Sequence, residues 1–285
     1  RRLLWHCIKT VRGMKMKKGS KKKKKGSVLN TLLTLGIIVC IGVFGFSAYR
    51  LFTIYQDYKA GEDEYQGLEE VAYGKDPDRS AADPGSVSET GSAGRPDYMP
   101  PDVDFASLQS KNPDIVGWLV VEALDINYPI VQGKDNDQYL HTTFEKKENF
   151  AGSIFMDYMN KTDFSDPHTI IYGHNMKNKS MFGKLKFMKE QEKYKDSRYF
   201  WILTPQHKYR YEIFSAHVTP VSGDTYTFFD AFDQQFVDYL NKSSQESQIP
   251  EIDHEFTTED KAVTLTTCTG SDTSRFVVQG ILVSQ

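Results

Sequence analysis

The chain sorts itself by the spacing of its apolar residues. Residues 28–51 (VLNTLLTLGIIVCIGVFGFSAYRL) form an apolar run with no charge before Arg50, about 24 residues long and enough for a helix to cross a hydrocarbon core of roughly 30 Å. From residue 102 onward the pattern breaks into short β-rich runs at 117–121, 126–131, 152–156, 169–172, 199–204, 208–218, 262–267 and 275–283. These read as eight strands. Their short lengths and frequent turn residues predict a mainly β fold, an antiparallel barrel or sandwich rather than a βαβ fold. Three helices are expected around the strands. Asp104 can cap a short one that runs through Gln109 and stops at Asn112 and Pro113. The second covers 181–192. The third covers 229–240, where Phe229, Phe232, Phe236 and Leu240 recur at helical spacing and form a packing face.

Residues 52–101 are rich in Asp, Glu, Gly, Ser and Pro, notably in DPDRSAADPGSVSETGSAGRPD. Such a composition buries too little apolar surface to offset the entropy of ordering, so a flexible acidic stalk is expected. Its first part can continue the preceding helix for a few turns, to about Val71.

Charge is distributed unevenly. Residues 1–27 hold twelve of the 35 Lys and Arg residues and no Asp or Glu, which leaves 23 basic against 38 acidic residues in the remainder. The basic block ends where the apolar run begins. It therefore reads as a cytoplasmic tail obeying the positive-inside rule, not as a nucleic-acid arm. The expected organisation is a tail (1–27), a transmembrane anchor (28–51), a stalk (52–101) and a folded domain (102–285) outside the cell, in a single-pass membrane protein. A cleaved signal peptide fits less well, because the run exceeds an ordinary h-region and lacks a small-x-small exit site. Met14 or Met16 would make a more ordinary start than Arg1, so residues 1–13 are expected to lie outside the natural product.

With that topology the three cysteines separate. Cys7 falls in the tail and Cys40 in the span, so Cys268 is the one thiol of the outer domain and has no disulfide partner there. It closes the run 262–267, and Arg275 opens the run 275–283 across a short loop of Gly, Ser, Asp and Thr. An antiparallel hairpin would set this thiol and this guanidinium side by side on one rim. A fixed positive charge beside a thiol favours the thiolate and can hold a negatively charged oxygen. His174, in YGHNM, follows the apolar run 169–172 after one glycine and should sit at a strand end. His before Cys disfavours the papain order, and the caspase signature QAC[RQG]G is absent. Neither HExxH nor a phosphate-binding GxxxxGK[ST] occurs, which gives metal and nucleotide chemistry little support.

TLTTC followed by SRFVV, and preceded by IIYGHNM, resembles the sortases, membrane-anchored cysteine transpeptidases of Gram-positive bacteria. NPDIVGWLVV, INYPIVQGKDNDQYL and GSIFMDYMN are similar to class B in particular. The resemblance runs from about residue 102 to the end of the chain, and it implies a closed eight-stranded sortase barrel with peripheral helices. By the same resemblance Cys268 is the nucleophile, His174 the general acid and base, and Arg275 the group that holds substrate and oxyanion. Asn136, Leu140 and Thr266 would line the substrate groove. The implied partners are secreted proteins carrying a sorting signal of the NPxT or SPxT kind and an acceptor amine, from peptidoglycan or a pilin lysine. No cofactor or metal is implied. One departure stands out: class B members often carry an acidic residue just after the cysteine, where this chain has Thr269 and Gly270. Two rivals stay open, a hydrolase with the same dyad and a noncatalytic surface-binding domain.

Overall fold

The short apolar runs become strands close to where the pattern places them. In the computed structural model, which describes residues 26–74 and 98–285, they are β1 (Ile115–Val121), β2 (Ile126–Gln132), β3 (Ile154–Met156), β4 (His168–Tyr172), β5 (Tyr199–Leu203), β6 (Lys208–Pro220), β7 (Ala262–Cys268) and β8 (Ser274–Ser284). They close into a barrel in the order β1-β2-β3-β4-β7-β8-β6-β5. The expected closed eight-stranded barrel is therefore the observed one.

The expectation of a wholly antiparallel sheet needs correction. β2 and β3 pair in parallel, and so do β4 and β7. Parallel neighbours need a long crossover instead of a tight turn. The chain supplies one between β2 and β3, and it inserts β5 and β6 between β4 and β7. Short strand length alone carries no information about such crossovers.

Successive residues of a strand face opposite sides of a sheet, and the core divides accordingly. Ile213, Val263, Leu265 and Val278 join the main apolar core, whereas Phe214, Ala262 and Ile281 join a second cluster. That second cluster is covered by Phe236, Tyr239 and Leu240 of a helix, Gln234–Gln245. The helix starts five residues later than expected because Asp233 caps it, accepting from the Phe236 N–H. Phe229 packs against the cluster from the preceding loop, and Phe232 is exposed. The expected helix over 181–192 is broken into a 3₁₀ turn, Leu185–Lys189, and one helical turn and a half, Gln191–Asp196. Its first residues cannot be helical, since Met181 has φ of 51°. The short helix Phe105–Lys111 forms as expected, with the Asp104 carboxylate accepting from the Ser107 N–H.

The long helix α1 (Gly26–Tyr73) belongs to two compact units, residues up to Thr53 and Ile54–Gln285. In the first unit its apolar side chains are exposed, Phe44 at 76 %. This stretch is long and apolar enough to cross a membrane. In the second unit, Tyr65, Leu68 and Ala72 are buried in the barrel's main core cluster. Here the structure differs from the expected flexible stalk. Residues 54–73 look polar in sum, yet their few apolar residues recur at helical spacing and find a partner in the barrel. The remaining stalk residues, 75–97, lie outside the described residues, as do Cys7 and the basic tail.

Candidate active site

β7 and β8 form the expected antiparallel hairpin, and its last pair sets Cys268 opposite Arg275. On the other side of β7 runs β4, in parallel register with Tyr172 beside Thr266. β4 ends there, and His174 follows Tyr172 by two residues as Cys268 follows Thr266 on β7. Two hydrogen bonds, one from the backbone and one from a side chain, tie the segment after β4 to β7. The Gly173 N–H donates to the Thr266 carbonyl (3.2 Å), and the Asn175 side-chain amide donates to the Cys268 carbonyl (2.7 Å). Gly173 is required here, since a Cβ would lie 2.5 Å from Ile154 Cδ1 and 2.7 Å from the Phe182 ring. His174, Cys268 and Arg275, all half-buried, thus occupy adjoining ends of three neighbouring strands.

The His174 ring is fixed on one side. Its Nε2 lies 2.7 Å from the Leu140 carbonyl. A carbonyl only accepts, so Nε2 carries the hydrogen and Nδ1 is left for proton exchange. The ring stacks on His141 at 5.4 Å. Burial holds the His174 imidazole below its ordinary pKa, and the neighbouring His141 pushes the same way, while the Leu140 hydrogen bond opposes them. At neutral pH the ring is therefore predominantly neutral and can accept a proton.

Arg275 carries a fixed positive charge. Its Nη1 donates to the Ser274 carbonyl at 3.0 Å and approaches the Ser271 carbonyl at 3.4 Å, which tethers the guanidinium to its own loop.

The remaining sequence candidates sit one step further out. Thr266 is buried, at 2 % exposure, with its hydroxyl 2.9 Å from the Tyr226 hydroxyl. Leu140 meets the site through its carbonyl. The Asn136 amide donates to Asp157 (2.8 Å) and accepts from the Tyr158 N–H, so it braces a loop and has no direct bond to the three central residues. Sequence reasoning missed the aromatic floor between these groups. Tyr172 and Tyr226 stack with rings 6° from parallel, and the Tyr172 hydroxyl donates to Asp157. Burial raises the Tyr226 phenol, and both Arg275 and Cys268 are close enough to act on its charge. Tyr226 lies far from the motifs in sequence, and only the β6–β7 connection brings it in.

A thiol flanked by an imidazole and a guanidinium at a barrel rim can perform acyl transfer. The family model described as sortase domain matches residues 119–283. The chain belongs to the sortase family, whose members are cysteine transpeptidases, and within it resembles class B. Sortase B of Listeria monocytogenes is 37 % identical over 187 residues, covering 64 % of this chain and 75 % of the relative. Among solved structures, sortase B from Bacillus anthracis in complex with AAEK1 superposes with a TM-score of 0.65 at 33 % identity, over 81 % of this chain and all of that one. The Staphylococcus aureus sortase B–substrate complex superposes with a TM-score of 0.59 at 33 % identity, over 63 % of this chain and 84 % of that one.

Proposed function

We propose that this protein is a membrane-anchored transpeptidase that cuts a sorting signal of the NPxT or SPxT kind in secreted proteins and joins them to a cell-wall amine. The observation that carries this reading is the register of β4, β7 and β8, which brings His174, Cys268 and Arg275 to adjoining strand ends. In the first step His174 Nδ1 takes the Cys268 proton, and the thiolate attacks the scissile carbonyl carbon. The oxyanion that forms is held by Arg275, whose hydrogen bonds among the described residues are made through Nη1. Collapse breaks the C–N bond, and the leaving amine takes the proton back from His174, which leaves a thioester on Cys268. An acceptor amine then attacks the thioester and gives its proton to His174, which returns it to the departing sulfur.

Asn136, Leu140 and Thr266 are proposed to shape the peptide groove, Thr266 through Tyr226. The exposed apolar surface of α1 before Ile54 supports its role as the anchor, since such surface is costly in water and satisfied in lipid. With the basic tail inside, the barrel lies outside the membrane. The acceptor is proposed to be a peptidoglycan amine or a pilin lysine.

The test is mass spectrometry of NPxT, SPxT and LPxT peptides incubated with the enzyme, with and without an added oligoglycine amine. Cleavage with amine-dependent ligation is expected, and Cys268→Ala should abolish both. Full cleavage by Cys268→Ala would eliminate the assignment, and cleavage without ligation would make the enzyme a hydrolase.

A further inference from the structure

The carbonyl that holds His174 belongs to the 133–153 connection between β2 and β3, and this connection is layered. The Asn149 N–H donates to the His141 carbonyl (2.9 Å), and the Ser153 N–H donates to the Tyr139 carbonyl (3.1 Å). Between them Gly152, at φ +56°, lies so close that a Cβ would come 2.3 Å from the Leu140 oxygen. Residues 149–153 are thus the floor on which residues 139–141 rest.

That floor is gripped by α1. The Tyr65 hydroxyl donates to the Gly152 carbonyl at 2.7 Å, and the Asn149 amide donates to the Asp57 carbonyl at 2.9 Å. Beside the floor, the Glu64 carboxylate holds the turn that follows residues 139–141, accepting from the Thr143 hydroxyl (3.0 Å) and the Glu145 N–H (2.9 Å). Tyr58 packs edge-on against Phe150. Positions 57, 58, 61, 64, 65 and 68 recur at three- and four-residue steps, so one face of the helix makes all these contacts. Tyr65 is buried to 8 % exposure and Leu68 to 1 %.

We infer that Tyr65, assisted by Glu64, is a positioning residue for His174. The helix that emerges from the apolar span fixes residues 149–153, these fix the Leu140 carbonyl, and the carbonyl fixes the imidazole. The inference rests on the proposed acid–base role of His174. Because the Leu140 bond favours the protonated ring, loosening it lowers the pH at which His174 titrates.

The experiment compares the full chain in detergent micelles with Tyr65→Phe and Glu64→Gln, and with Asp63→Asn on the exposed side of the same helix. Two readouts are taken across pH: kcat and KM for the cleaved peptide, and the rate of Cys268 alkylation by iodoacetamide. Tyr65→Phe should lower kcat about fivefold, the equivalent of one ordinary hydrogen bond, with KM within about twofold. The acid limb of both profiles should move to lower pH, and Asp63→Asn should match the parent chain. If Tyr65→Phe does not fold, Glu64→Gln decides by the same two readouts. A folded variant with an unmoved acid limb overturns the inference, whether or not kcat falls, because a merely structural loss would scale the rate at every pH. Failure of the parent chain to cleave peptide would instead count against the proposed reaction, and the alkylation profile would still report on His174.

Discussion

His168 offers a quantitative test of how the barrel is built. It is 1 % exposed at the start of β4. Its Nδ1 lies 2.8 Å from the Thr227 carbonyl and its Nε2 lies 2.7 Å from the Thr264 hydroxyl. Nδ1 must therefore donate to the carbonyl, and in the neutral ring Nε2 accepts from the Thr264 hydroxyl. The Gln279 amide completes the network by donating to both Thr264 and Tyr239. Burial pushes the His168 imidazole from 6.5 down to about 4. The unfolded chain therefore binds a proton between those values that the folded chain refuses. The resulting stability is complete above pH 6.5 and is lost as pH falls toward 4. At pH 4.5 the difference corresponds to about 2.5 kcal/mol, from 1.36 kcal/mol per pKa unit less the fraction already titrated in the fold. Urea unfolding of Ile54–Gln285, followed by fluorescence of the buried Trp118 and Trp201, reads this directly. Between pH 7 and 4.5 the parent midpoint should fall about 1 M further than that of His168→Gln, at an m-value of about 2–3 kcal/mol/M. His174 and His217 are also held below the ordinary range by burial, but they titrate equally in both proteins and cancel. Equal losses in the two proteins would refute the neutral buried ring.

Other substitutions probe the site and its frame. Gly152→Ala forces a methyl into the Leu140 carbonyl at a left-handed φ, so it should cost about 3 kcal/mol and abolish peptide cleavage, as measured by thermal melting and product analysis. His141→Ala removes the ring that disfavours protonation of His174 and opens its burial, so the acid limb of kcat/KM should move to higher pH. Asp104→Ala removes the cap of the short helix Phe105–Lys111, outside the barrel strands; it should lower stability by about 1 kcal/mol and leave kcat/KM unchanged.

Local pattern was enough for the strands and for the hairpin. Two β-rich runs around a Gly-Ser-Asp-Thr loop can pair in few ways, and Cys268 opposite Arg275 follows from that pairing. The helix at Gln234–Gln245 was legible for the same reason, its apolar stripe needing only a face to cover. The helix through residues 54–73 was anticipated to about Val71, but its packing on the barrel was missed because composition averages over a segment. Four apolar side chains at positions 65, 68, 71 and 72 outweigh many exposed acids once a barrel offers them a surface.

The candidate site shows where local reading stops. His174 and Cys268 meet because β4 and β7 pair in parallel although β5 and β6 intervene in the chain, and no spacing or turn residue encodes that pairing. The residue types and their order made the two candidates beforehand, and the resemblance to sortases gave them complementary roles. The groups that hold His174 are more distant still: a carbonyl presents no side chain to read, so Leu140 enters through backbone that any residue would supply. What the sequence does preserve is room for that backbone. Gly152 and Gly173 are two of the places among the described residues where a Cβ would strike the groups around the imidazole. In this fold the position of the His174 imidazole thus depends on Gly152 and Gly173 as much as on the YGHNM motif itself.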